Sequence, residues 1–388
     1  MKKYITIIMF RKILVFSVFS AIVLINDQCY SQSKISAQVR KNLVDKNASA
    51  QTVALYYNLK AIARNYTIFG QQDYASDGKG WKNLENRCDV KDVCGSYPAI
   101  NCLDFLHFTN PVTSEKKDNS YLTRLMHQTY DRGGIISFCW HYYNPVTGGL
   151  FYDTTEVVKN ILPGGSHHEV FKKSLKIIAN FAHNAKGKNG ELIPIIFRPW
   201  HEFDGNWFWW GKSHCTAQEF KELYRFTVIY LRDSLHVHNF LYAFSPDCKF
   251  HSEADYLKRY PGDDYVDILG MDNYWDFTPN GEGLKGVILK AGIITKYAQK
   301  KNKLAALTET GLANLPDTTW YTERLLKVLK DKNVRLAYVN VWRGEYVPYP
   351  GHPACKDFIK FRNDPVILFE SDLPDMYLMN KKLNIKKN

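Results

Sequence analysis

Six acidic residues stand just after short apolar runs in this chain: Asp73, Asp104, Glu202, Asp247, Asp272 and Glu309. Two carboxyl groups that face one glycosidic bond can cleave it. One protonates the leaving oxygen, and the other attacks the anomeric carbon or activates water. Glu202 and Glu309 are the only glutamates of the six, and their longer arms suit reach into a cleft. Glu202 lies in Arg198-Pro199-Trp200-His201-Glu202-Phe203-Asp204-Gly205-Asn206-Trp207-Phe208-Trp209-Trp210-Gly211. A general acid needs a raised pKa, and apolar neighbours raise it by desolvating the charged form. Trp200, Trp207, Phe208 and Trp209 are the candidates for that task at Glu202. A nucleophile must stay ionised and wants donors, for which Arg198 and Tyr274 are the candidates at Glu309.

Eight apolar runs deliver these residues. They cover 66–69, 97–103, 134–139, 193–197, 239–244, 266–271, 303–307 and 335–341. Each ends in polar or aromatic residues, among them Gly70-Gln71-Gln72-Asp73, Trp140-His141, Asp272-Asn273-Tyr274 and Trp342-Arg343-Gly344. Helix-like segments fall between most of them, at 122–132, 168–185, 217–235, 285–300 and 319–332, and 39–64 reads as mostly helical. Alternating strands and helices predict a parallel sheet. Eight units predict an α/β fold of the (β/α)8 TIM-barrel type, a single catalytic domain with its site at the strand C-termini. An open doubly wound sheet would want a glycine-rich turn after the first strand, and Gly70-Gln71-Gln72-Asp73 is not one. The long segments 69–97 and 141–167 leave strand C-termini and should overhang the site.

The N-terminus reads as a leader. Arg11 and Lys12 precede the apolar run 13–25, and Cys29-Tyr30-Ser31 supplies a cleavage site, so residues 1–31 form a signal peptide. Thirteen residues are short for a membrane span of about 20. The expectation is an exported protein, periplasmic or secreted, with no stable membrane span after signal removal. Asn26-Asp27-Gln28 is a poor context for lipid attachment at Cys29. The catalytic domain is expected at 32–380 and a basic, solvated tail at 381–388.

Of the net charge of +12, the leader holds +3, and Lys381, Lys382, Lys386 and Lys387 supply four more. The remainder is too mild and too dispersed for a nucleic-acid stripe. Export permits disulfides, with Cys88 and Cys94 the best candidate pair and Cys102, Cys139 and Cys248 read as small buried side chains. Neither a CxxC nor a zinc spacing occurs, and no metal or cofactor is expected. His167-His168-Glu169 reads as a helix start.

The block at 198–211 resembles the acid/base signature of glycoside hydrolase family 26, mostly β-mannanases. Phe69-Gly70-Gln71-Gln72-Asp73, Tyr97-Pro98-Ala99, Trp140-His141, Leu162-Pro163-Gly164-Gly165, Asp272-Asn273-Tyr274, Thr308-Glu309-Thr310-Gly311, Trp342-Arg343 and 347–353 are similar to further family blocks, in the family's order. Gln71 stands where histidine is commoner. The resemblance implies a retaining (β/α)8 hydrolase of β-1,4-mannan, with Glu202 as acid/base and Glu309 as nucleophile. It further implies that His201, Trp207 and Tyr274 shape the −1 subsite, that Trp342 and Arg343 grip the next sugar, and that His141 and Asp272 add contacts. An exo-acting, mannobiose-releasing enzyme, a related β-glucanase or xylanase, and a non-catalytic carbohydrate-binding protein on the same scaffold remain open.

Overall fold

The computed structural model describes residues 34–109, 120–379 and 383–387. The leader expected at 1–31, with Cys29, lies outside them. So do Lys381 and Lys382.

Eight parallel strands form the centre: β1 (Thr67–Gln72), β2 (Ile100–Asp104), β3 (Ile135–Trp140), β4 (Ile195–Pro199), β5 (Phe240–Phe244), β6 (Ile268–Asn273), β7 (Leu304–Thr310) and β8 (Tyr338–Val341). They pair in chain order, and β8 pairs back onto β1 with Gly70 opposite Asn340, which closes the barrel. A Cβ at Gly70 would collide with the Asn340 side chain, so only glycine lets the closing strands approach here.

Helix α1 (Ala50–Ile62) precedes β1, and α2 (Asp89–Cys94), α3 (Ser120–Asp131), α4 (His168–Asn184), α5 (Ala217–Ile229), α6 (Glu253–Leu257), α7 (Gly283–Lys300) and α8 (Leu326–Leu329) occupy the crossovers. After β8, α9 (Cys355–Asn363) leads to β9 (Ile367–Leu368), which pairs outside β1. The helix expected over 39–64 is interrupted at 41–49, where Asp45 Oδ2 meets His238 Nδ1 at 2.8 Å. The start of α5 is fixed by a capping box between Thr216 and Glu219. His168 begins α4, as its sequence context predicts.

The strands are buried almost throughout because both faces are covered. Phe69, Leu103, Phe138, Phe197 and Phe244 face the helices, while Ile68, Ile100, Ile135, Ile196, Leu241, Ile268 and Tyr338 fill the barrel. The floor is sealed by α1 and by the C-terminal segment. Asn58 Nδ2 donates to the carbonyls of Met376 and Leu378, at 3.0 and 2.7 Å.

Two expectations change here. The described part of the C-terminal tail, residues 383–387, is docked and not a solvated end: Leu383 and Ile385 pack on the floor cluster, and Lys387 Nζ donates to the Arg362 carbonyl at 2.9 Å. Cys88 and Cys94 are not paired, and every described cysteine is free. Cys88 precedes α2 and Cys94 is its last residue. Six residues of helix separate Cα atoms by about 9 Å, beyond the roughly 7 Å a disulfide spans. Cys102, Cys139 and Cys248 are buried, as expected. No described helix is long and apolar enough to cross a membrane.

Candidate active site

The corner after β4 is strained. Trp200 and Glu202 both take left-handed backbone, at φ 57° and 54°, which non-glycine residues adopt only when their surroundings compel them. Those surroundings are hydrogen bonds. Glu202 N–H donates to the Ser245 carbonyl at 2.9 Å. The indole N–H groups of Trp200, Trp209 and Trp210 donate to Thr227 Oγ1, the Tyr142 carbonyl and the His201 carbonyl, at 3.0, 2.8 and 2.8 Å. All three rings are fully buried. They brace the corner from behind, and do not wall Glu202 as the sequence suggested for Trp200 and Trp209.

Trp207 is the ring that meets the acid. Its Nε1–H donates to Glu202 Oε2 at 2.7 Å. Burial pushes the Glu202 carboxyl well above the ordinary range, and the charges of Asp272, Glu309 and Asp247 push the same way. The Trp207 bond opposes this shift without cancelling it.

Glu309 reaches the site through a β-bulge. Met271 pairs with Leu307 but Asp272 pairs with Glu309, so β7 carries one extra residue at Thr308. Strict alternation would turn Glu309 away from the side that Thr308 faces. The bulge lets both face the interior. Thr308 Oγ1 donates to Asp272 Oδ1 at 2.7 Å. Glu309 accepts from Arg198 Nη2 through one oxygen and from Tyr274 Oη, at 2.9 Å, through the other. Arg198 also donates to Asp272 Oδ2 at 2.7 Å and to Ser245 Oγ at 3.0 Å. Burial, then the charges of Glu309 and Glu202, raise the Tyr274 phenol well above its usual value, so it stays a donor.

Carboxylate oxygens of Glu202, Glu309 and Asp272 lie within 4.8 Å of one another. The Arg198 guanidinium sits among Asp272 and Glu309, where a cation would otherwise be held. Asp104, Cys139 and His141 also bring ligand-type atoms within 4.8 Å. There His141 Nδ1 is engaged by Asp104 Oδ2 at 2.7 Å, and Cys139 Sγ donates to the Leu103 carbonyl at 3.5 Å.

Beside the carboxylates lies a cleft of about 530 Å³. Its walls include Asp73, Asp104, His141, Tyr152, Trp342 and Arg343. Both long loops contribute, the first through 73–83 and the second through Phe151 and Tyr152. Trp342 is half-buried, and exposed Arg343 reaches Asp73 at 3.4 Å and Asp77 at 3.9 Å. Burial lifts Asp73 to about 7, with Arg343 opposing and Asp104 and Asp77 adding to the rise.

Two expected sugar contacts are placed differently. Asp272 is fully buried behind Glu309, bound to Arg198 and Thr308, so it orients the carboxylate and offers no surface to a sugar. His201 is 1% exposed and meets His141 Nε2 through its own Nε2 at 3.1 Å, so it stands behind His141. Tyr121 and Tyr152 also line the cleft: Tyr121 sits in the first turn of α3 and has no signal in the sequence, whereas Tyr152 lies in the 141–167 segment expected to overhang the site.

Residues 44–369 match the description Glycosyl hydrolase family 26. A Bifidobacterium adolescentis protein named mannan endo-1,4-beta-mannosidase is 38% identical over 322 residues, 78% of this chain and 32% of that protein. The Bacillus subtilis strain 168 protein of the same name is 27% identical over 270 residues, 66% of this chain and 69% of that protein. The chain thus spans about a third of the Bifidobacterium relative, and the match to the Thermothelomyces thermophilus relative covers 54% of that protein. Among solved structures, GH26C from Muricauda sp. MAR_2010_75 superposes with TM-score 0.85 at 38% identity, covering 89% of this chain and 98% of that one. The GH26 beta-mannanase of Bacteroides ovatus superposes with TM-score 0.81 at 39% identity, covering 86% and 99%.

Proposed function

The chain belongs to glycosyl hydrolase family 26, and on that premise we propose that it hydrolyses internal β-1,4-mannosidic bonds in mannan, galactomannan or glucomannan by double displacement. One observation carries this reading: Glu202 and Glu309 oppose carboxylate oxygens within 4.8 Å, close enough to the cleft for Tyr152 of its wall to feel both charges. Retaining glycosidases hold their carboxyls about 5–5.5 Å apart, whereas inverting ones leave about 6.5–9.5 Å for a water.

The two environments suit two tasks. Glu309, held by Arg198 and Tyr274, attacks the anomeric carbon. Glu202, protonated through its raised pKa, gives its proton to the leaving glycosidic oxygen. The covalent glycosyl-enzyme then meets water. Glu202 takes a proton from that water as it attacks, and the Glu309 carboxylate is released. Trp207 and Tyr274 border the reacting sugar, and His141, Trp342 and Arg343 line the cleft beyond it, where Trp342 gives stacking area. The catalytic unit runs from residue 32 through the docked C-terminal segment, and the leader directs export.

A product profile on linear mannan and galactomannan tests this, with E202A and E309A as controls. Mixed oligosaccharides at early times are expected. Mannobiose alone from the start would replace endo with exo action, and preferred release from glucan or xylan would change the substrate. Full activity in both variants would remove the site assignment.

A further inference from the structure

The cleft wall contains a hydrogen-bonded line whose first member has no assigned role. Asp104 closes β2, and both its oxygens are committed. Oδ1 accepts from two backbone amides, Leu106 N at 2.8 Å and His141 N at 3.1 Å. Oδ2 faces His141 Nδ1 at 2.7 Å. His141 Nε2 faces His201 Nε2 at 3.1 Å. His201 immediately precedes Glu202, between the two left-handed residues of the corner. Its Nδ1 is buried and has no partner.

We propose that Asp104 is a positioning residue which sets the tautomers of His141 and His201 in sequence, and through them holds the corner that presents Glu202. A carboxylate can only accept, so His141 carries its proton on Nδ1. The unpartnered His201 Nδ1 sets the rest: with no acceptor for a proton there, His201 carries its proton on Nε2 and donates to His141 Nε2. A buried orphan acceptor is more often tolerated than a buried orphan N–H. The inference concerns the resting enzyme and holds whichever polysaccharide is cleaved. Its catalytic consequence rests on the proposed role of Glu202.

Asp104→Asn tests it with little change of shape. The two backbone amides require an acceptor at the Oδ1 position, so the new amide nitrogen must take the Oδ2 position and donate to His141 Nδ1. Every tautomer in the line then inverts: His141 becomes Nε2–H, and His201 becomes Nδ1–H with no acceptor. Long-range ¹H–¹⁵N spectra of histidine-labelled protein read this directly. Wild type should show His141 as Nδ1–H and His201 as Nε2–H, and D104N should show the reverse. D104N should lose about tenfold or more in kcat, with KM within about twofold, because an aligning interaction is removed and no binding contact is.

His201→Gln supplies the second arm. A glutamine amide can rotate to present either oxygen or nitrogen to His141, so D104N should cost little further kcat in an H201Q background. Unchanged tautomers in D104N, or an equal loss in both backgrounds, would overturn the proposal. E202A and E309A address the cleavage chemistry separately. Intact activity in those two would remove the function proposed for the pair while leaving the tautomer measurement standing.

Discussion

The ends of β4 and β7 present the same functional group in opposite settings. Glu202 sits on a strained turn with one neutral donor, Trp207, and three acidic neighbours. Glu309 sits on a bulged strand with a buried arginine and a phenol, one on each oxygen. One corner makes ionisation costly, and the other supplies the partners an ionised carboxylate needs. Environment separates two roles that residue identity cannot, as in other pairs of catalytic carboxyls.

The largest test of that contrast is kinetic. Glu309→Ala should abolish turnover on every substrate. Glu202→Ala should lose about 10²–10⁴-fold on mannan, the usual worth of general acid–base catalysis. On an aryl mannobioside with a good leaving group, E202A should still form the glycosyl-enzyme and accumulate it, as intact-protein mass spectrometry would reveal. Accumulation in E309A instead would reverse the assignments.

The next test is stability, where the two sites should differ in sign. Glu309→Gln leaves the buried Arg198 with Asp272 as its one remaining carboxylate, and should cost about 1–3 kcal/mol, read from denaturant midpoints at pH 7. Glu202→Gln should instead stabilise. The folded-state pKa of Glu202 is raised, so its contribution is fully present below the unfolded value of about 4.3 and is lost as pH rises through the folded pKa. Gln has no such loss. The melting temperature of E202Q should therefore match wild type in acid and exceed it increasingly toward alkaline pH, by an amount worth about 1 kcal/mol. Destabilisation by both variants would end the contrast.

The smallest effect concerns the one donor at Glu202. Trp207→Phe removes a bond to the ionised form, so the Glu202 pKa should rise further. The basic limb of kcat/KM should move to higher pH by up to about one unit. An unmoved limb with a raised KM would make Trp207 a substrate contact alone.

Much of this was legible before the fold was known. Apolar runs closing on Glu202 and Glu309 predicted strand C-termini at a common mouth, and the barrel has its strands there. Arg198 and Tyr274 were named as donors to Glu309, and both donate to it. The failures share a cause. The family resemblance implies a sugar contact for Asp272, yet the residue lies buried behind Glu309. The tail was read from its lysines, while Leu383 and Ile385 determine where it docks. Cys88 and Cys94 are close in sequence, but the helix between them holds them apart.

Sequence alone determined the period and the punctuation of this protein: eight buried strands, the helices between them and the chemistry placed at their ends. These are local properties, written in hydrophobic pattern and residue type. Only the tertiary structure decided where the side chains aim. The bulge that turns Glu309 inward exists in the register between β6 and β7. The line from Asp104 through His141 to His201 joins residues 37 and 60 positions apart. Direction and partnership depend on which strands lie side by side, and that is settled when the barrel closes.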